Sequence, residues 1–355
     1  MTEPVIAQQG PFFVELKAGR TYHWCACGRS RKQPFCDGSH AGTGFEPLKF
    51  TAQRDEDAVL CGCKHTGTAP FCNGAHNNLS STYKLATDEQ VRAAASLPIT
   101  PRDSGAVGKA VLDGGCYVVT VDPGALEQHG AMKIGPVIHS ADGAKFLSQF
   151  YAEVQGGVSD VLSFPKSDAM LFIRSGTGVL TISGRTFGVG PETAALVKPG
   201  EGFTLRATSA ERMELLISAC PQAAAPVWLT EMTTQYDETL TPRIAGVDPA
   251  KREPMADRFY QVLMGDEGDS STEVTEFIGE VPQSRAAPHR HLYEEAIMVL
   301  SGEGFMWTEG ARAVVKAGDI IFLPRKQIHS LECTTPAGMR LMGIFYPKGS
   351  PAVNY

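Results

Sequence analysis

Residues 288–302 read PHRHLYEEAIMVLSG and residues 318–329 read GDIIFLPRKQIH. Both contain short apolar runs, rich in Ile, Val and Phe, that end at glycine or proline, which marks strands rather than helices. On a strand, alternate side chains share a face. His289, His291 and Glu295 have one parity and are expected on one face, while Arg290 has the other and is expected to point away. His329 follows a second strand that stops at Pro324. Three imidazoles and one carboxylate suit a divalent transition metal: iron, manganese, nickel, cobalt, copper or zinc. An octahedral ion with four protein ligands keeps two positions for substrate, water or O2.

The surrounding segments EEAIMVL, GFMWTE, RAVVKA, DIIFLP and RLMGIFY fill residues 294–346. They recur at the roughly 8–12 residue spacing of an all-β sandwich or barrel. The motifs resemble those of the cupin superfamily. His289, His291, Glu295 and Gly302 match its H-x-H-x3-E-x6-G, and Gly318, Pro324 and His329 match its G-x5-P-x-G-x2-H. Lys326 stands where the family has a turn glycine. The resemblance implies a metal site made by His289, His291, Glu295 and His329, with iron preferred.

A second, weaker copy lies in residues 157–206. An offset of 126 places Gly302 on Gly176, His289 on Ser163, His291 on Pro165 and Glu295 on Ala169. An offset of 125 places Pro324 on Pro199 and His329 on Thr204. The framework glycine and proline remain and the four ligands do not, so a metal-free first barrel is expected.

A different repeat occupies the start of the chain. Residues 25–40, CACGRSRKQPFCDGSH, align with residues 61–76, CGCKHTGTAPFCNGAH, at an offset of 36. Each copy offers three thiolates and one imidazole. Spacing alone leaves tetrahedral zinc and a 2Fe–2S cluster both open. Each copy matches C-x-C-x2-S/T-x3-P-x-C-D/N-G-S/A-H and so resembles the CDGSH iron–sulfur (mitoNEET-like) family. Two motifs in one short domain look like its tandem type. The resemblance implies two 2Fe–2S clusters, one on Cys25, Cys27, Cys36 and His40, the other on Cys61, Cys63, Cys72 and His76. Asn73 replaces the family's aspartate outside that ligand set. His23, His65, His129 and His139 fit no ligand slot and are expected at the surface or in the core.

Between the two regions, residues 77–84 close the first domain, and Thr87 with Gln90 forms a capping box for a helix that ends before Pro98. Residues 1–80 hold 8 basic and 7 acidic residues, whereas residues 111–355 hold 20 and 29, which supports a boundary between them. The net charge of −7 argues against a nucleic-acid partner. No apolar run reaches the roughly 18–20 residues that span a bilayer, and the first residues lack a signal-peptide pattern, so no membrane partner and a cytoplasmic, reducing location are expected. There, six clustered cysteines of nine are metal or redox groups rather than disulfides, and Cys116, Cys220 and Cys333 are expected as buried packing.

The expected class is mainly β: a small β-rich iron–sulfur domain followed by two β-barrel cupin (double-stranded β-helix) domains. The expected divisions are 1–84 (tandem CDGSH), 85–110 (helical linker), 111–230 (metal-free cupin) and 231–355 (metal-binding cupin). The expected function is an iron-dependent oxygenase or dioxygenase acting on a small molecule, with the clusters carrying electrons. The alternatives are a non-redox metal-dependent isomerase or lyase regulated by the clusters, and a non-enzymatic redox or iron sensor that transfers clusters. An electron donor or acceptor protein is an expected partner, and the fold leaves room for a homo-oligomer.

Overall fold

The computed structural model describes residues 3–8, 10–76, 85–103, 108–208, 210–221, 224–240, 242–266 and 268–353. The chain divides into two compact units, Met1–Lys84 with Ala352–Tyr355, and Leu85–Pro351. Residues 77–84, the expected close of the first domain, and residues 104–107 of the linker lie outside the described residues.

The small unit is built from its repeat. The strand Pro11–Leu16 pairs with Glu56–Cys61, and Thr21–Trp24 pairs with Leu48–Thr51, both antiparallel. At the 36-residue offset these are reciprocal pairs, because each repeat's outer strand pairs with the other repeat's inner strand. A two-stranded ribbon is marginal alone; here both ribbons share one core of Leu16, Tyr22, Trp24, Ala58 and Leu60. Tyr22 stacks between Phe35 and Phe50, at 5.3 and 5.6 Å between ring centroids.

The large unit is mainly β and contains two barrels. The first has an interior of Phe150, Phe164, Leu171, Leu180, Phe203 and Leu215. The second joins an eight-stranded sheet to a three-stranded one of Glu303–Trp307, Arg312–Lys316 and Ser330–Cys333. The strand Glu294–Ser301 runs between Asp319–Leu323 and Met339–Tyr346. It is buried on both faces, which is why it reads as a near-continuous apolar run.

Strand partners depart from the expected divisions. Tyr117–Thr120, placed by sequence order in the first barrel, pairs with Asp319–Leu323 of the second. Ile244–Gly246, placed in the second, pairs with Thr193–Val197 of the first. The two exchanges are related by the same 126-residue offset. Boundaries at 111 and 230 follow strand succession, whereas partners are chosen by which sheet edge must be covered. The expected helical linker, which the sequence leaves open to act as a spacer or to dock, is tied to the second barrel by backbone bonds. Thr87 and Gln90 form the capping box, and the helix Asp88–Ala95 leads into backbone bonds from the Arg312 N–H to the Pro98 carbonyl (3.0 Å) and from the Thr100 N–H to the Arg312 carbonyl (2.7 Å). Arg102 pairs with buried Asp319, which also accepts from the Thr120 hydroxyl at 2.8 Å.

The outer faces of the two barrels close on one apolar layer that includes Tyr117, Phe172, Leu196, Leu216, Met298, Ile320, Phe322 and Ile344. Tyr117 stacks on Phe322 at 5.0 Å, so an exchanged strand and its host strand meet inside this layer. The framework glycines are explained by contact. Gly302 has φ +85° and an added Cβ would lie 2.6 Å from the Gly338 carbonyl oxygen; at Gly176, φ +77°, it would lie 2.7 Å from the Arg212 carbonyl oxygen. This backbone crossing is needed whether or not a barrel keeps ligands. Phe322→Ala should lower stability by about 3–5 kcal/mol in chemical denaturation of the full chain. A loss below about 1 kcal/mol would contradict a packed layer between the barrels.

Candidate metal centres

In the second barrel the backbone brings His289 and His329 face to face, with reciprocal N–H to carbonyl bonds of 3.0 and 2.8 Å. The Nδ1 of His289 donates to the Ala287 carbonyl, and the Nδ1 of His329 donates to the Gln327 carbonyl, each at 2.9 Å. A carbonyl only accepts, so Nδ1 carries the proton in both rings and Nε2 keeps its lone pair for a metal. His291 is steered by stacking on Tyr293 (4.5 Å), which in turn stacks on Phe345 (3.9 Å). Its backbone carbonyl accepts from the Lys326 N–H at 2.7 Å. Lys326 has φ +69°, the left-handed region that the glycine expected there would occupy without strain.

Ligand atoms of His289, His291 and His329 all lie within 4.8 Å of one another. Glu295, 3% exposed, stands beside this group with Oε2 3.7 Å from His291 Nε2. That oxygen accepts no hydrogen bond among the described residues. Burial pulls His289 down to about 3, helped by the neighbouring His329, and pulls His329 down to about 4. Burial also pushes Glu295 up to about 8. The neutral imidazoles of His289 and His329, protonated on Nδ1, together with His291 and a buried carboxyl, fit a divalent cation.

Arg258 was not singled out by the sequence motifs. Its guanidinium is 5% exposed, donates to the Leu331 carbonyl at 3.2 Å, and its charge is near enough to disfavour protonation of His289. Arg258 lies on a different strand, 31 positions before His289, so only the tertiary pairing reveals it. In the first barrel the corresponding positions are Ser163, Pro165, Ala169 and Thr204, beside an interior filled by apolar side chains. His129 stacks on Trp228 and His139 pairs with Asp142; neither belongs to a group of metal donors among the described residues.

In the small unit each repeat presents its donors as two pairs. Cys25 and Cys27 have their Sγ atoms 3.7 Å apart, and Cys36 Sγ is 3.2 Å from His40 Nδ1. The second repeat gives 3.4 Å for Cys61–Cys63 and 3.4 Å for Cys72–His76. Charges on Cys27 and Cys36, and on Cys63 and Cys72, are close enough to act on each other. The scaffolds match. The Cys25 N–H donates to the Pro34 carbonyl and the Cys61 N–H to the Pro70 carbonyl, both at 2.9 Å. Ser30 and Thr66 hydroxyls donate to the Phe35 and Phe71 carbonyls at 2.6 and 2.7 Å. Asp37 and Asn73 each accept a backbone N–H two residues on, at 3.1 Å, so Asn73 serves the same turn. Burial pushes Cys63 up to about 11. Cys25 is held below the usual thiol value: burial opposes this, and hydrogen bonds from Ser30, Cys27, Gly28 and Gln33 outweigh it.

The family described as "Iron-binding zinc finger CDGSH type" matches residues 3–41, and the family described as "Cupin domain" matches residues 279–345, which contain His289, His291, Glu295 and His329. Fifty-three residues are 62% identical to the mouse CDGSH iron-sulfur domain-containing protein 3, mitochondrial. This chain carries a CDGSH iron–sulfur domain and a cupin domain. The match spans 14% of the chain and 39% of the mouse protein. The cupin fold recurs in a putative glyoxylate-induced protein from Pseudomonas aeruginosa, with TM-score 0.54, 16% identity, and coverage of 72% of this chain and 97% of that one. A variant of oxalate decarboxylase from Bacillus subtilis gives TM-score 0.51 and 14% identity over 63% and 75% of the two chains.

The donor chemistry of the CDGSH domain fits an iron–sulfur cluster: one C-x-C pair for one iron and a Cys–His pair for the other. None of the nine cysteines forms a disulfide. Cys116, Cys220 and Cys333 are buried, and burial pushes each thiol up, so they are unreactive packing groups. His291→Ala should remove the metal of the cupin domain and leave the visible iron–sulfur absorption intact. Metal analysis with absorption spectroscopy checks this, and loss of both signals together would contradict independent sites.

Proposed function

We propose that the chain is a redox protein in which the cupin barrel is a metal-dependent oxygenase for a small organic acid and two 2Fe–2S clusters carry electrons. The observation that carries the barrel reading is its donor set. Three imidazoles bring one ligand atom each to within 4.8 Å of one another beside a buried carboxyl, and burial keeps two of them, His289 and His329, neutral. A divalent iron held by His289, His291, Glu295 and His329 would supply one-electron chemistry and leave positions for O2 and substrate. The remaining work falls to the chain. The Ala287 and Gln327 carbonyls fix two ring tautomers, and Tyr293 and Phe345 set the third ring and keep it dry. Arg258, which pairs with Asp257 at 3.6 Å, also places a buried positive charge close to His289, which favours a carboxylate as the group that substrate brings to the site.

The eight cluster donors support the electron-carrying part, since a His-ligated 2Fe–2S centre has a higher potential than an all-cysteine one. A separate electron donor or acceptor protein is part of the proposal, as is a reducing compartment, which fits nine cysteines without a disulfide. Among the described residues no helix is long and apolar enough to cross a membrane.

Stopped-flow mixing of the anaerobically reduced, metal-loaded chain with O2 and a panel of small carboxylic acids tests the proposal. One acid should accelerate both O2 uptake and cluster reoxidation, and His291→Ala should abolish the acceleration. Turnover of an acid without O2 and without change in the cluster spectrum would replace this reading by a non-redox isomerase or lyase. Absence of turnover, with clusters passed to an apo-acceptor, would replace it by a cluster-transfer protein.

A further inference from the structure

The two iron–sulfur repeats differ at a pair of positions that meet in space. Position 28 is glycine where its counterpart 64 is lysine, and position 33 is glutamine where its counterpart 69 is alanine. Gly28 and Lys64 have the same backbone conformation, φ +76° and +69°. A Cβ on Gly28 would lie 1.6 Å from the Val5 carbonyl oxygen, so the first repeat has no room for a side chain there. In the second repeat the site takes a lysine in the left-handed region, a conformation costly for a residue with a Cβ.

The Lys64 side chain leads inward rather than to solvent, and the residue is only 7% exposed. Its Nζ donates to the Gln33 Oε1 and to the Cys61 carbonyl, each at 2.9 Å, and sits 4.6 Å from the Trp24 ring centroid. Two acceptors and a π face surround this nitrogen, groups that pair with an ammonium. Gln33 in turn donates its amide to Cys25 Sγ at 3.4 Å. The Lys64 backbone N–H donates to Cys61 Sγ at 3.2 Å. One buried cation is therefore tied directly to the second donor set and, through Gln33, to the first.

We infer that Lys64 is a shared counter-ion of the two clusters, raising both reduction potentials, with Gln33 relaying its effect to the first-repeat cluster. The inference rests on the reading of both donor sets as 2Fe–2S sites. Each cluster gains one electron, and so one negative charge, on reduction. A fixed positive charge and hydrogen bonds to ligand sulfurs inside a low-dielectric core favour the reduced form. The relay is one-sided, because Ala69 offers no amide at the position matching Gln33.

The test is an anaerobic dithionite titration of the full chain, followed by absorption and EPR. His40→Cys, which replaces a neutral ligand by a thiolate, marks the first-repeat midpoint by moving it to a more negative value. Lys64→Met should retain both clusters and shift both midpoints negative. Gln33→Met should shift the first-repeat midpoint alone. Unchanged midpoints in Lys64→Met with both clusters intact would overturn the inference. If Lys64→Met fails to assemble a cluster, Gln33→Met decides, and an unchanged first-repeat midpoint overturns the relay and the shared role with it. A wild-type chain that binds zinc without cluster absorption would instead refute the underlying 2Fe–2S reading.

Discussion

Reciprocal strand exchange is the constraint on which the structure rests. In the large unit Tyr117–Thr120 completes the second barrel and Ile244–Gly246 completes the first. In the small unit Pro11–Leu16 and Leu48–Thr51 each cross to the other repeat. An uncovered sheet edge exposes a row of unpaired backbone groups. Exchange removes that liability by making each half the cover of the other. It also gives a role to the barrel that lacks the histidines and glutamate at the matching positions: it supplies part of the apolar layer behind the strand Glu294–Ser301.

The two centres solve opposite electrostatic problems. In the barrel, burial keeps His289 and His329 neutral, carbonyls at Ala287 and Gln327 orient both, and burial pushes the Glu295 carboxyl up to about 8. In the small unit three thiolates per repeat crowd together, and the cysteines nearest the core feel burial and one another. Lys64 answers that concentration of charge. Burial lowers its own pKa, and the thiolates of Cys25, Cys61, Cys63 and Cys27 act in the other direction.

What was legible in the sequence is what is local. C-x-C, the later Cys–His pair and H-x-H-x3-E are short spacings whose geometry follows from a turn or a strand, so their residues meet as the spacing implies. Gly176 and Gly302 were legible as framework because their backbone crossing tolerates no Cβ. Strand partners were not legible, since Tyr117 and Ile244 read as ordinary strand starts whichever sheet they join. Neither Arg258 near His289 nor the Lys64–Gln33 bridge forms a motif, because each joins positions about 31 apart across separate elements. Lys326 shows the limit from the other side: a missing glycine did not change the turn, because lysine adopts the same left-handed backbone.

We propose that one chain holds two iron–sulfur clusters and one mononuclear metal on separate donor sets. Metal analysis of anaerobically purified protein, combined with Mössbauer and EPR spectroscopy, tests it most directly. The expected result is about four irons per chain in 2Fe–2S centres and one further divalent ion outside them. Zinc in both repeats with no cluster spectrum, or no metal beyond the clusters, would contradict it.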